Sequence, residues 1–151
     1  MKISSIHDLE KISNKIKKKL SPGDVVFLYG QIGVGKTTFA RILINAYEYQ
    51  KKLKKSEILS PTFNIVYDYA IGKIKILHYD LYRLNSRDDI YQLGIFETSN
   101  NSIKIIEWPE LIKPKPKDRI NIMFLYSKLT SSREVKISGT GKWRNFKFNE
   151  R

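Results

Sequence analysis

The chain has 151 residues, a mass of 17.7 kDa, a net charge of +13 and a pI near 9.8, with 41% hydrophobic and 28% charged residues. That length suits one domain with a real core, since a domain of about 150 residues buries roughly 68–70% of its unfolded surface. The absence of cysteine excludes disulfides, Cys-ligated zinc, iron–sulfur clusters and thiol catalysis, and no apolar run approaches the ~20 residues of a membrane span.

Met1 to Ser5 lacks the apolar stretch of a secretory signal, so a cytoplasmic protein without membrane attachment is expected. Ile6, Leu9, Ile12, Ile16 and Leu20 then recur at spacings of three and four, one stripe of an amphipathic helix with lysines opposite, and Ser5 with Asp8 forms a short-acid capping box at its start. Turn residues Ser21-Pro22-Gly23-Asp24 precede Val25 to Tyr29, an uninterrupted apolar run suited to a strand buried on both faces. A glycine-rich loop follows, then a helix over 37–49 with Phe39, Ala40, Leu43, Ala46 and Tyr47 at helical spacing. Beyond the lysine-rich link from Gln50 to Ser56, Phe63, Ile65, Tyr67 and Tyr69 alternate up to Gly72, and Lys73 to Asp80 continues as a second strand, so the pair reads as a hairpin turning near Ile71-Gly72.

Ser86 and Asp89 cap a short helix ending near Gly94. Asn100-Asn101-Ser102 reads as a loop, and Ile103 to Trp108 as a strand stopped by Pro109. Alternation over Ile120, Ile122, Phe124 and Tyr126 gives another strand, and Val135 and Ile137 mark the last. The whole chain is expected to form a single domain, with residues 142–151 as a loosely ordered basic tail.

Gly30-Gln31-Ile32-Gly33-Val34-Gly35-Lys36-Thr37 fits the pattern G-x-x-x-x-G-K-[ST], placed between a strand and a helix as that motif requires. The glycines let backbone N–H groups ring the phosphates of a nucleotide, Lys36 neutralises their outer charge, and the Thr37 hydroxyl is a ligand for Mg²⁺. Thr38 adds a second hydroxyl at the inner phosphate. Such a cradle needs an acid to hold or orient the metal, and two apolar strands end in one: Asp80 and Glu107. Open α/β sheets collect their ligands at these carboxyl ends, so both acids can converge on the loop. Thr62, after Pro61, lies where other P-loop proteins keep a hinged element that senses the outer phosphate. His78 reads as structural, Arg83 as equally suited to a phosphate or a surface ion pair, and the tyrosines as sheet packing. No N-K-x-D motif follows the loop, so guanine is unsupported and ATP is the default nucleotide. The lysine clusters would attract polyanions such as RNA, but their patterning favours a solvated surface over a dedicated nucleic-acid site.

These residues resemble a known family. The Gly30–Thr37 loop, Ser60-Pro61-Thr62-Phe63, His78-Tyr79-Asp80-Leu81-Tyr82-Arg83-Leu84, Leu93-Gly94 and Ile106-Glu107-Trp108-Pro109-Glu110 occur in the order and approximate spacing of bacterial TsaE, also called YjeE. The resemblance runs from about the first helix to Ile137. It implies the ATPase component of the machinery that makes threonylcarbamoyladenosine on tRNA, docking on a TsaB–TsaD heterodimer and using ATP with Mg²⁺ to reset it, with tRNA met through that complex. It further implies Lys36 and Thr37 as phosphate and metal ligands, Asp80 and Glu107 as the site's two acids, Thr62 as part of a mobile segment, and Trp108 beside the active site. The preferred apportionment puts Glu107 at the metal and Asp80 on metal and attacking water; the reverse assignment stands beside it.

The expected fold is a P-loop α/β domain, a mixed sheet with a parallel core, helices on its faces and antiparallel additions. The expected function is a weak, partner-stimulated ATPase. The rivals are a small-molecule P-loop kinase, for which little chain is left to build an acceptor pocket and lid, and a nucleotide-switched RNA-binding module.

Overall fold

The computed structural model describes residues 1–96, 101–127 and 132–147. Seven strands form one sheet: β1 (Lys2–Ile3), β2 (Val25–Tyr29), β3 (Val66–Ile71), β4 (Ile74–Asp80), β5 (Ser102–Glu107), β6 (Arg119–Tyr126) and β7 (Arg133–Thr140). Their spatial order is β1-β7-β6-β2-β5-β4-β3. β2 runs parallel to both β5 and β6, and β5 parallel to β4; β3, β7 and β1 add antiparallel edges. This is the mixed sheet with a parallel core that the sequence predicts. The apolar run Val25–Leu28 is buried because it lies at the centre, with a strand on either side and cover above and below.

Helix α1 (Ile6–Lys17) starts at the predicted capping box: the Asp8 N–H donates to Ser5 Oγ and the Ser5 N–H to the Asp8 carboxylate. With α2 (Lys36–Gln50) it covers one face of the sheet, where Ile12, Ile16, Phe39, Leu43 and Ile44 meet Val26, Leu28, Ile76, Ile103, Ile105, Ile120 and Ile122. The opposite face is covered more thinly, by α3 (Arg87–Gln92) and the 3-10 turn Pro109–Leu111, over Val25, Phe27, Leu77, Tyr79 and Ile106. α3 carries the capping box Ser86/Asp89 and is followed by Gly94 in the left-handed region (φ 56), as its sequence foretells.

The hairpin turns at Gly72, but β3 begins only at Val66. Residues 61–64 form a turn, and Ile65 has a positive φ (66) with its N–H on the Pro61 carbonyl. Alternation in Phe63 and Ile65 therefore extends past the strand proper. The segment from Lys142, expected as a tail, contributes Trp143, whose ring is fully buried and whose Nε1 donates to Asp24 Oδ1 at 3.2 Å. A large apolar side chain with a polar handle gains by burial where its N–H finds a buried acceptor. Residues 148–151 of that tail, and Asn100 of the predicted loop, lie outside the described residues. No helix among the described residues is long and apolar enough to cross a membrane.

Candidate nucleotide site

Because β2, β4 and β5 are parallel, their carboxyl ends share one edge of the sheet. There Leu28 pairs with Glu107, and Glu107 with Asp80. Side chains alternate along a strand, so His78, Asp80 and Glu107 point to the same face as Ile76 and Ile105, the face on which α2 begins. The chain leaves β2 at Gly30 (φ 131), where a Cβ would lie 2.5 Å from the Phe124 carbonyl oxygen; only glycine fits. Gly35 (φ 118) is the N-cap of α2, and nothing lies within 4 Å of where its Cβ would be, so space is open beside the first turn of the helix.

The loop is closed on itself by Lys36. Its Nζ donates to the carbonyls of Gly30 (2.6 Å) and Gln31 (2.9 Å) and sits 3.9 Å from the centre of the Trp108 ring. Burial pushes this amine below the usual lysine range, while the charges of Glu107, Asp80 and Glu110 pull it back up. Trp108 reaches the ammonium because it adopts a left-handed backbone (φ 58, ψ 55), which costs about 1–2 kcal/mol for a non-glycine residue. Its N–H is held by the Leu28 carbonyl at 3.2 Å. Strand β5 thus stops one residue earlier than the sequence predicts, and the stop turns the indole over the loop.

Both acids are buried and fully engaged. Glu107 accepts from Thr37 Oγ1 at 3.0 Å through Oε2, and its Oε1 pairs with His78 Nε2 at 2.9 Å. Asp80 accepts from Thr62 Oγ1 at 2.6 Å and from the Tyr82 N–H at 3.0 Å, and the Ser60 and Thr62 hydroxyls are 2.8 Å apart. A cleft of about 260 Å³ is lined by Ile32, Gly33, Gly35, Lys36, Thr37, Thr38, Ser60, Thr62, Asp80, Tyr82, Glu107 and Trp108. Nearly every residue singled out from the sequence is therefore around one cavity, apart from Gly30, Gln31 and Val34, which shape the loop behind it. A second, larger hollow of about 570 Å³ continues from Gly33, Val34, Gly35 and Thr38 toward Ile3, Leu9 and Arg133.

His78 is the member that sequence reasoning passed over. It is wholly buried, and its Nδ1 has no hydrogen-bond partner among the described residues. Its position two residues before Asp80, on the same strand face, is the signal that could have placed it at the site. Arg83 stands apart from the phosphate loop: its guanidinium stacks 4.2 Å over the exposed Phe63 ring.

The family model described as "Threonylcarbamoyl adenosine biosynthesis protein TsaE" matches residues 3–135. The chain belongs to the TsaE family. Among relatives carrying the name tRNA threonylcarbamoyladenosine biosynthesis protein TsaE, that of Rickettsia conorii is 39% identical over 74% of this chain and 61% of its own length. The Rickettsia prowazekii protein is 38% identical over 74% of both chains, and the Aquifex aeolicus protein 35% identical over 74% of this chain and 77% of its own. The chain thus spans somewhat less than two thirds of the R. conorii relative. The crystal structure of Bacillus subtilis YdiB superposes with a TM-score of 0.70 at 23% identity, covering 94% of this chain and 85% of that one, and shares the fold. The family is that of TsaE, and the fold is P-loop NTPase-like.

Proposed function

We propose that this protein binds ATP with Mg²⁺ and hydrolyses it slowly as the ATPase component of tRNA threonylcarbamoyladenosine biosynthesis in the cytoplasm, working on a TsaB–TsaD-like heterodimer. The observation that carries the reading is the convergence of Lys36, Thr37, Asp80 and Glu107 on one cleft beside Gly35, at the first turn of α2.

The donor set suits ATP with magnesium. Mg²⁺ is usually held by one or two carboxylates and a hydroxyl together with substrate phosphates, and no cage of three or more acids or histidines exists among the described residues. Thr37 and Glu107, already in contact, would hold the ion, with Asp80 beside them. Bound there, it would neutralise charge on the outer phosphate oxygens. The loop N–H groups from Gly33 to Thr38 would bind the phosphates, and Lys36 would exchange its two carbonyl acceptors for phosphate oxygens. Asp80, one strand over, would accept a hydrogen bond from the attacking water and orient it, keeping Thr62 and the 60–64 turn in register with the phosphate. The hollow beyond Gly35 and Thr38 would seat the base and ribose.

Slow turnover in isolation follows from the cations available. Among the described residues Lys36 is the one cation lining the cleft, and Arg83 is engaged with Phe63. A positive group supplied by a partner can be worth roughly 10³–10⁵ in rate. Ile32, which lines the cleft, and Phe63, next in sequence to the lining residue Thr62, are 69% and 81% exposed and offer apolar surface suited to such a partner. tRNA would be met through the complex.

The test is ATP hydrolysis by the purified chain with and without TsaB–TsaD, for wild type, Lys36→Ala and Glu107→Ala, read together with threonylcarbamoyladenosine formation on tRNA. Stimulated hydrolysis that both substitutions abolish is the expected result. Equal turnover with and without the partner would remove the partner-dependent reading, and phosphate transfer to a small acceptor would put a kinase in its place.

A further inference from the structure

On the thin face of the sheet, away from the nucleotide cleft, strand β5 places a lysine where an apolar residue belongs. Lys104 pairs with Val25 on one side and Leu77 on the other, and is 3% exposed. Among the described residues, no hydrogen bond or ion pair reaches its ammonium. Burial holds the amine below the usual lysine range, and among the described residues no carboxylate counters it. An ammonium left with so little contact with water and no side-chain partner carries a desolvation cost, and the nucleotide chemistry makes no use of this one.

Lys104 lines a groove of about 480 Å³ whose walls are Val25, Ile90, Ile95, Ile112 and Pro114. Arg87, Lys113 and Lys115 frame it, and among the described residues no Asp or Glu lines it. At the rim Tyr91 and Phe96 are 76% and 40% exposed. The chemistry called for is an anion at the centre and apolar groups around it. The basic frame and the exposed aromatics extend the complementary surface beyond what a small metabolite would cover, which favours a segment of protein. We propose that this groove docks a peptide segment of a partner protein, in which an acidic side chain flanked by apolar ones pairs with Lys104. The inference stands apart from the nucleotide reading, because the groove lies on the other face of the sheet.

The test uses the full chain, isotope-labelled, titrated with three probes: the capped tripeptide acetyl-Leu-Glu-Leu-amide, its Gln counterpart, and hexanoate. The Glu peptide is expected to shift the Lys104 side-chain signals and the Ile90 and Ile112 methyls saturably, with binding at least about tenfold weaker for the Gln peptide, for hexanoate and for the Lys104→Met variant. Lys104→Met is expected to raise the melting temperature and leave ATP binding unchanged, which separates lost docking from lost folding. Equal binding of the two peptides, or undiminished binding to Lys104→Met, would overturn the proposal. So would silence at about 10 mM peptide. Hexanoate binding as tightly as the Glu peptide would replace the partner segment with a small carboxylic acid.

Discussion

Asp80 and Glu107 end adjacent parallel strands, pair in register and are both buried, yet they are held by different parts of the molecule. Glu107 is clamped between the first turn of α2, through Thr37, and the buried His78 ring; both partners belong to regular, well-packed elements. Asp80 is held by its own following backbone at Tyr82 and by Thr62, which sits in the turn before β3. One carboxylate is therefore anchored to the phosphate loop, and the other is coupled to a segment secured mainly by hydrogen bonds. Two acids alike in sequence position differ in what they touch, and on the proposed reading the first would hold the metal in fixed geometry and the second would couple to the 60–64 turn.

Glu107→Gln carries the largest expected effect. Removing the charge that faces Thr37 and His78 should lower ATP turnover about 10²–10³-fold, and Mg²⁺ should no longer strengthen nucleotide binding in a calorimetric titration. Asp80→Asn should slow turnover by about 10² while ATP affinity stays within about threefold. If the two variants behave alike in Mg²⁺ dependence, the contrast between the acids has no functional content. Thr62→Val keeps the shape and removes the hydroxyl. It should cost about tenfold in turnover and raise amide exchange across 60–64 without disturbing the Glu107 side, whereas unaltered exchange would disconnect Asp80 from that turn.

The smallest effect is expected at a charge of the opposite kind, Lys104, which has no partner among the described residues. Its amine titrates lower folded than unfolded, so between the two values the unfolded chain binds more protons and stability rises with pH. Below the lowered value the penalty is fully present, and it fades as pH climbs toward about 10.4. The denaturation midpoint of Lys104→Met should exceed that of wild type at neutral pH, and the gap should narrow on the alkaline side. A gap independent of pH would mean the amine is solvated.

The phosphate loop, both capping boxes and strands β2 to β7 were legible because each depends on residues close together in the chain. Ser5 with Asp8 and Ser86 with Asp89 act within one helical turn, and the loop motif reports its own flanking elements. The pairing of His78 with Glu107, 29 residues apart, was not legible, since it exists only once β4 and β5 align in parallel. Nor was the burial of Lys104: Ile103-Lys104-Ile105 reads as alternation with a solvated lysine, and α3 with the Pro109–Leu111 turn closes over it from distant sequence. Strand β1 spans two residues, too few for any periodicity, and is defined by its partner β7. Trp143 was lost in a basic tail because its acceptor, Asp24, lies 119 positions away.

The stacking of the Lys36 ammonium on Trp108 gives the protein an optical gauge of its own. The chain has two tryptophans: Trp143 is sealed in the core, and Trp108 is half-buried with a cation 3.9 Å from its ring centre. If a phosphate draws Lys36 away, only Trp108 changes surroundings, so emission from the intact, unlabelled chain would follow occupancy of the loop while Trp143 supplies a constant background. A Trp143→Phe chain would sharpen the signal at the expense of the Asp24 contact, and Trp108→Phe would silence it.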